Sequence, residues 1–311
     1  MLKKLSILGL GLMLSHGLFS QGHTNFTTSD YWKGQRKEFF FGIGATQFLG
    51  DLGGLDKIGT DYSLVDLEFS TTRPSGHIGF RYRFRPWIST KTILQYGVLR
   101  GSDQLTGEPA RRNRNLSVKT HLIELSQHLE LVIYNNEHYG RRNKIHGLKG
   151  HRNKNDLLYV FSGITAFTWF PQADGGPMLR DLNTEGQGLP GGPDDYGYVS
   201  LGIPFGIGFK LGLGMVWRMM FEVSYTKTFT DYLDDVSGVY YDNDAILNAY
   251  GSDAAYYADP SSGAFPTWTT AGEMRGDDTQ KDAYFFLNVS LVRNLQHKRR
   301  GKVKWKYRAR Y

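Results

Sequence analysis

The feature that most constrains the fold is a strict two-residue alternation that begins near Leu201. From Leu201 to Leu213 every second residue is large and apolar, and the residues between them are glycine, proline or lysine. A period of two is the repeat of a β-strand, whose successive side chains point to opposite faces. Seven large apolar residues in one unbroken row, backed by a nearly bare face, are typical of a strand with one side in lipid.

The alternation resumes at Trp217, so Val199 to Asp235 is interpreted as one membrane hairpin. Its apolar row contains Trp217, Met219, Phe221, Val223 and Tyr225, and its other row contains Arg218, Met220, Glu222, Ser224 and Thr226. An apolar outward face and a polar inward face are the signature of outer-membrane barrel strands. The pattern predicts a short turn at Gly214 and Met215.

Six further segments alternate or are rich in strand-forming residues. They are 38–48, 76–85, 87–99, 116–134, 157–170 and 283–292. With the hairpin they predict an all-β fold, a transmembrane antiparallel barrel of about eight strands, with ten as the alternative. Segment 157–170 is apolar on both faces and is not oriented by its periodicity. Residues 62–69 are a candidate short strand outside the membrane.

The lengths of the connections predict the orientation of this barrel. Connections 85–87 and 213–216 are short, whereas 50–75, 100–115, 171–198 and 230–281 are long. Short turns face the periplasm in bacterial barrels and long loops face outward. Both chain ends are therefore expected in the periplasm. The connection 135–156 is long for a periplasmic turn and fits this scheme poorly.

Composition limits the class of protein further. The chain has 311 residues, a net charge of +7 and no cysteine, which leaves no disulfide, zinc–thiolate site or thiol nucleophile. No apolar run reaches the roughly 20 residues that a membrane helix needs. The run Leu5 to Leu14 follows Lys3 and Lys4 and predicts a signal peptide over residues 1–20. A periplasmic segment (21–37), the outer-membrane barrel (38–294) and a basic periplasmic tail (295–311) are expected to follow.

The predicted inward faces carry charges of both signs. The residues are Arg81, Arg83, Glu124, Glu130, Lys210, Arg218 and Glu222. Buried charges require partners, and an eight-stranded barrel is barely wide enough for its own side chains. We therefore expect a salt-bridged plug, with an ion or proton path as the alternative. The inward glycines of the sixth strand are expected to leave room for long side chains opposite.

No catalytic, cofactor or metal site is predicted. Glu124, Ser126 and His128 share a strand face, but neighbours on one face lie about 7 Å apart, too far for a bond between nucleophile and base. A cluster of acids, Asp231, Asp234, Asp235, Asp242 and Asp244, offers oxygen ligands for calcium. It lacks the EF-hand glycine, so a solvated outer loop is expected, with a metal site as the alternative. The chain is expected not to be an enzyme.

The charges at the two ends of the predicted barrel differ. Loop 230–281 has ten acidic residues, whereas the segment from Arg293 onward has nine basic residues and no acid. From Lys302 the tail alternates basic residues with Val303, Trp305, Tyr307, Ala309 and Tyr311. The candidate partner-binding residues are Arg299, Arg300, Lys302, Lys304, Trp305, Lys306, Tyr307, Arg308, Arg310 and Tyr311, with Arg141 and Arg142 of the connection 135–156.

Two interpretations of this tail stay open. One is a basic tail that is disordered or lies on anionic lipid. The other is a strand that adds to the sheet edge of a periplasmic partner, where an acidic face recognises the lysines. Nucleic acid is not an expected partner in this compartment despite the basic composition.

Five ordered blocks form one further pattern. They are FGIGATQFLGDLGG (41–54), SGHIGFRYRF (75–84), NLSVKTHLIELSQHLEL (115–131), YVFSGITAFTWFPQA (159–173) and EVSYTKTFTDYLDDVSG (222–238). Over residues 38–294 the chain resembles the PorG-like barrels of Bacteroidota. The resemblance implies a non-enzymatic outer-membrane component of the type IX (Por) secretion and gliding machinery, which anchors the periplasmic ring of the lipoprotein PorK and of PorN. The basic tail matches no motif of that family.

Two other functions stay as alternatives to this one. The first is a free-standing small barrel of the OmpA-like or adhesin kind, which binds through its outer loops. The second is a lipid-modifying barrel enzyme.

Overall fold

The chain folds into a closed, eight-stranded antiparallel β-barrel, in which each strand pairs with its neighbours in sequence and β1 pairs with β8. The computed structural model describes residues 35–50, 52, 69–137, 155–213, 216–277 and 280–295. Eight strands over these residues confirm the predicted fold class. Within the described residues, no α-helix is both long and apolar enough to cross a membrane.

The strands lie close to the predicted segments, but most of them are longer. They are β1 (Lys37–Leu49), β2 (Arg73–Arg85), β3 (Ile88–Ser102), β4 (Ser117–Glu137), β5 (Asn155–Ala173), β6 (Ser200–Gly212), β7 (Trp217–Thr228) and β8 (Ala283–Asn294). Trp87, the predicted first residue of the third strand, instead lies in the β2–β3 turn. The longer strands extend at both ends of the barrel, where cross-strand hydrogen bonds continue past the apolar pattern.

The barrel has two unlike ends. The short-turn rim contains the connections β2–β3, β4–β5 and β6–β7 and both ends of the sheet, where the amide of Leu295 donates to the carbonyl of Lys37 at 2.8 Å. The long-loop rim contains the other connections. Three short α-helices lie there among the described residues: α1 (Pro109–Arg114), α2 (Asn243–Tyr250) and α3 (Ser252–Ala258). The sequence patterns did not predict these helices.

The outward row of each strand forms an exposed apolar belt around the barrel. Aromatic side chains border it at both ends, with Trp87 and Trp217 near the short-turn rim and Tyr198 and Phe229 near the long-loop rim. Between them lie Phe39, Phe41, Ile43, Ile78, Leu94, Ile123, Leu125, Leu129, Ile164, Leu201, Phe205, Ile207, Phe221, Val223, Leu287 and Val289. An apolar band between aromatic girdles is the lipid-facing surface of a transmembrane barrel.

The interior changes in character along the barrel axis. Charged side chains lie toward the short-turn rim, and polar pairs such as Gln95–Asn288 lie further in, joined by amide hydrogen bonds of 3.1 and 3.2 Å. A hydrophobic core fills the long-loop end. It includes Phe48, Leu99, Leu122, Phe167, Trp169, Tyr284 and Phe286 from the strands and Leu233 and Val236 from the β7–β8 connection.

Candidate functional site

Glu38 is the centre of the buried charges in the lumen. Its Oε2 accepts from Lys210 Nζ at 2.5 Å and lies 3.5 Å from Arg81 Nη1, while its Oε1 pairs with Arg218. Because Glu38 is the second residue of β1, the closure of β1 onto β8 and β2 brings it between side chains of β2, β6 and β7. Three cations thus share one carboxylate inside the barrel.

The charge network continues across the barrel from Arg81. The guanidinium of Arg81 also pairs with Glu130, whose Oε2 accepts from Ser89 at 2.8 Å. Lys91 lies 3.9 Å from Glu130 and pairs with Glu222. The hydroxyl of Tyr159 donates to Glu222 at 2.6 Å. The lumen network is therefore four cations and three carboxylates, all buried: Arg81, Lys91, Lys210, Arg218, Glu38, Glu130 and Glu222.

The structure brings five of the seven predicted lumen charges into this network and places the other two elsewhere. Arg83 donates to the carbonyl of Pro86 at 2.5 Å and closes the β2–β3 turn. Glu124 lies in a separate polar layer, where it accepts from Tyr284 at 2.6 Å. Two members, Glu38 and Lys91, were missed by sequence reasoning. Ser89, Lys91, Ile93 and Gln95 share one face of β3, and this alternation could have predicted that Lys91 faces the lumen.

The inward glycines of β6 make room for aromatic rings, not for the charged side chains expected from the sequence. Gly208 pairs with Tyr159 and Gly206 pairs with Phe161 on the neighbouring strand β5. A Cβ added at Gly208 would lie 2.3 Å from the Tyr159 ring, and one at Gly206 would lie 2.3 Å from the Phe161 ring. The positions of these two rings show which face of β5 points into the lumen, which the sequence pattern of β5 did not. They also place the Tyr159 hydroxyl beside the lumen network.

The three residues considered for a hydrolytic site form structural contacts. The hydroxyl of Ser126 lies 3.2 Å from Glu124 Oε1 and 2.7 Å from Thr165 Oγ1. The ring of His128 stacks on Phe161 with 4.7 Å between centroids, and its nitrogens have no hydrogen-bond partner among the described residues. Ser126 and His128 therefore do not form a nucleophile–base pair in this arrangement.

The long loops fold together into a cap, defined here as residues 103–116, 174–199 and 229–282. Arg114 binds Asp103 through two hydrogen bonds, of 2.7 and 2.8 Å, and also donates to the carbonyl of Arg275. The Nη1 of Arg275 in turn donates to Glu185 and to the carbonyl of Asp235, each at 2.8 Å. These ion pairs and hydrogen bonds together join all three connections.

The expectation of a solvated acidic loop is wrong for Asp231, Asp234 and Asp235, which are buried in the cap. Asp231 accepts from Ser237 Oγ at 2.8 Å, and Asp234 accepts from the amide of Val236 at 3.1 Å. Asp235 accepts from Tyr196 at 2.5 Å and from Thr184 at 2.7 Å. Loop residues become buried because the long connection returns over the barrel mouth, which a local pattern does not reveal.

Burial has a clear electrostatic effect on two of these carboxyls. Removal from water raises the pKa of Asp231 to about 6. Burial likewise raises the pKa of Asp235 to about 6, although the neighbouring Arg275 acts in the opposite direction. Asp242 has another role, because its side chain caps α2 by accepting from the amide of Asp244 at 3.1 Å. Among the described residues, no three His, Asp or Glu side chains are grouped so as to hold a metal ion.

Several predicted features lie outside the described residues. They are the signal peptide (1–20), the candidate strand at 62–68, the turn residues Gly214 and Met215, Arg141 and Arg142, and the whole set of candidate partner-binding residues from Arg299 to Tyr311.

The closed sheet, the apolar belt and the charged interior define an integral β-barrel of the outer-membrane class. No family model and no curated protein sequence matches the chain. Among solved structures, it is similar to the attachment invasion locus protein Ail of Yersinia pestis, at 9% identity and a TM-score of 0.34, over 83% of this chain and 99% of that one.

Two other small barrels show a similar degree of likeness. Neisserial surface protein A has 8% identity and a TM-score of 0.31, over 83% of this chain and 95% of its own. The outer membrane protein AlkL, solved in lipid bilayers, has 11% identity and a TM-score of 0.32, over 90% of this chain and 100% of its own. The class assigned above depends on the strands and belt of this chain itself.

Proposed function

We propose that this chain is a non-enzymatic structural and docking component of the type IX protein secretion and gliding machinery. In this role it anchors the periplasmic ring of PorK and PorN to the outer membrane. The sequence blocks that resemble PorG-like barrels suggest the machine. The short-turn rim suggests how docking would occur.

The observation that carries the proposal is the projection of the β4–β5 hairpin beyond the short-turn rim. β3 pairs with β4 only as far as Leu131, whereas β4 and β5 stay paired to Glu137 and Asn155. Six residues, 132–137, at about 3.3 Å each extend β4 by about 20 Å past its last pair with β3. Ile133 and Tyr134 are exposed there, and exposed apolar side chains on a projecting hairpin suit contact with a protein partner.

Charge favours the same rim as the docking surface. The projecting hairpin leads to the basic connection with Arg141 and Arg142, and β8 leads at the same rim to the basic segment 296–311. These basic segments suit an acidic partner surface or anionic lipid heads. The paired charges in the lumen favour a role at the rims over transport through the barrel, and the chain is proposed to have its ends in the periplasm.

The matched arginine pairs of the two rims provide a test. Arg141→Ala with Arg142→Ala changes the proposed docking side, and Arg111→Ala with Arg112→Ala changes an adjacent pair on the long-loop rim. After gentle detergent extraction, the first double variant should recover at least several-fold less PorK and PorN, and the second should recover them as the parent does. Deletion of 296–311 should also reduce recovery.

Two results would overturn the proposal. The first is a parent barrel that migrates alone after gentle extraction. The second is normal export of type IX cargo in a strain that lacks the gene.

A free-standing barrel that binds through its outer loops is the second candidate, and the folded cap favours it. Buried ion pairs and hydrogen bonds among three connections hold the cap in one arrangement, which suits a binding surface. The parent barrel would then be recovered as a heat-modifiable monomer, and its loss would leave cargo export unchanged.

A further inference from the structure

A cavity of about 310 Å³ opens within the β5–β6 connection at the long-loop rim. Arg180, Asn183 and Gln187 line it, with Asp181, Asp195 and Tyr198. This volume is at the small end of the range for ligand pockets, about 300–1,000 Å³. The cavity is remote from the lumen network and from the short-turn rim, so the proposed docking function does not account for it.

The cap holds the walls of the cavity in place. Tyr196, which also lines the cavity, stacks between Trp169 and Tyr232, with centroid distances of 6.1 and 4.6 Å. The carbonyl of Gln187 accepts from Tyr250 at 2.6 Å. Since these contacts come from the barrel core and the β7–β8 connection, a ligand would meet a preformed site, which lowers the entropic cost of binding.

Buried donors without partners line this cavity. The side chain of Gln187 is 2% exposed, and its Oε1 accepts from the amide of Glu185 at 3.0 Å, but its Nε2 has no acceptor among the described residues. The Nη2 of Arg180 donates to the carbonyl of Gly197 at 2.6 Å, whereas Nε and Nη1 have no such acceptor. A buried donor without an acceptor is unfavourable in the free protein, and an oxygen of a ligand would satisfy it. The Arg180 guanidinium also lies over the rings of Trp169 and Tyr196, at 5.1 and 4.5 Å. Gln187 Nε2 is therefore the donor that most favours a ligand with acceptor oxygens.

The charges of the lining select against an anion. Arg180 is accompanied by the exposed carboxylates of Asp181 and Asp195, so the lining has a net negative charge at neutral pH. A phosphate or sulfate would be repelled by these two groups. A neutral hydroxyl group both donates and accepts, and it therefore suits the carboxylates at the mouth as well as the donors inside.

Tyr198 adds an aromatic face to the mouth of the cavity. Its ring is 63% exposed, and the guanidinium of Arg180 lies 4.2 Å from its centroid. The guanidinium covers one face of the ring. The exposed remainder keeps the partial negative charge of an aromatic face, which attracts the polarised C–H groups of a sugar ring. Donors, acceptors and an aromatic platform around one small cavity are therefore complementary to a saccharide.

We propose that this cavity binds a neutral saccharide unit, such as one terminal sugar of a glycan. Such a unit occurs both in the outer-leaflet lipopolysaccharide around the barrel and in free or foreign glycans. The shared chemistry is a neutral polyol ring that accepts from Arg180 and Gln187, donates to Asp181 or Asp195, and stacks on Tyr198. A saccharide site at this position is compatible with either proposed function of the chain.

Tyr198 and Tyr256 provide a matched pair of variants, since they are 63% and 62% exposed on the same side of the barrel. The full chain in detergent is titrated calorimetrically with glucose, galactose, mannose, N-acetylglucosamine and inorganic phosphate. At least one sugar should bind saturably, and Tyr198→Ala should weaken that binding tenfold or more. Tyr256→Ala and phosphate should have no effect on it. Asp195→Asn should weaken binding without altering the fold.

The proposal is overturned if no neutral saccharide binds either in detergent or in nanodiscs with lipopolysaccharide. It is also overturned if phosphate competes with the sugar. The third contradicting result is equal sugar binding by Tyr198→Ala and Tyr256→Ala. Saturable binding of a free sugar identifies soluble or foreign glycans as a source. Saccharide binding that requires lipopolysaccharide in the nanodisc identifies the outer leaflet as the source.

Discussion

The two ends of the barrel are closed by different means. Toward the short-turn rim, charged side chains from six strands fill the lumen as one network around Glu38. Toward the long-loop rim, hydrophobic residues fill it, and the β7–β8 connection inserts Leu233 and Val236 among them. The first closure is built from the strands alone. The second requires loops distant in sequence to return over the mouth, so the two should fail independently.

The largest expected effect is at the centre of the lumen network. Glu38→Gln leaves Arg81, Lys210 and Arg218 without the carboxylate they share. Loss of one partner of a buried ion pair costs about 3–5 kcal/mol, and the cost here should reach at least that range. The measurement is the urea midpoint of the heat-modifiable band in detergent.

A surface pair gives the control for this variant. Glu108 lies 3.2 Å from Arg111 on the cap surface, where a pair contributes about 0–1 kcal/mol, so Glu108→Gln should behave as the parent. Addition of Lys210→Met to Glu38→Gln removes one unpaired cation and should restore part of the stability. Equal midpoints for Glu38→Gln and Glu108→Gln would show that the network does not stabilise the barrel.

The strand-built closure was largely predictable from the sequence, but its pairings were not. Alternation identifies the inward face, and it placed Lys210, Arg218 and Glu222 there correctly. It does not say that Lys210 meets Glu38, 172 residues away, because that depends on how the sheet closes and on its register. The same alternation assigned Arg83 to the network, but the guanidinium of Arg83 donates to the carbonyl of Pro86 in the neighbouring turn.

The cap was scarcely predictable. No period marks Leu233, whose amide donates to Asp282 at 2.9 Å and whose carbonyl accepts from Thr120 at 2.6 Å. The acidic composition of its connection suggested a solvated loop, yet the acids closest to β7 are buried. Composition reports the average preference of a segment for water, and it fails where tertiary contacts satisfy individual polar groups.

The second prediction tests the cap by removing one of its apolar anchors. Leu233→Ala should cost about 2–5 kcal/mol, as is usual for a fully buried leucine, and the loss should fall on the cap. We expect faster proteolysis of the connection 229–282, with the heat-modifiable barrel retained. Leu247→Ala, at an exposed position of α2, is the control and should leave proteolysis unchanged. Joint unfolding of cap and barrel would contradict the independence of the two closures.

The smallest expected effect is a pH dependence of the cap. Burial raises the pKa of both Asp231 and Asp235 from 3.8 to about 6, so the folded cap holds protons that the unfolded connection releases. The resulting stabilisation is complete below about pH 4 and is lost as the pH rises through 6. It amounts to up to about 3 kcal/mol for Asp235 and to less for Asp231, which solvent screens more. Proteolysis of the connection 229–282 should therefore be slower at pH 5 than at pH 7.5.

Asp235→Asn shows whether these carboxyls cause the pH effect. The amide carries no charge at either pH, so the variant should resist proteolysis better than the parent at pH 7.5 and should retain about half of the parent's pH dependence. Loss of the charge also weakens the field at Arg275, but that residue keeps Glu185 as its partner. Asp194→Asn changes an exposed carboxyl of the β5–β6 connection and should leave the profile as it is. If the pH dependence of proteolysis is the same in Asp235→Asn as in the parent, the effect arises from other groups and not from the Asp235 carboxyl.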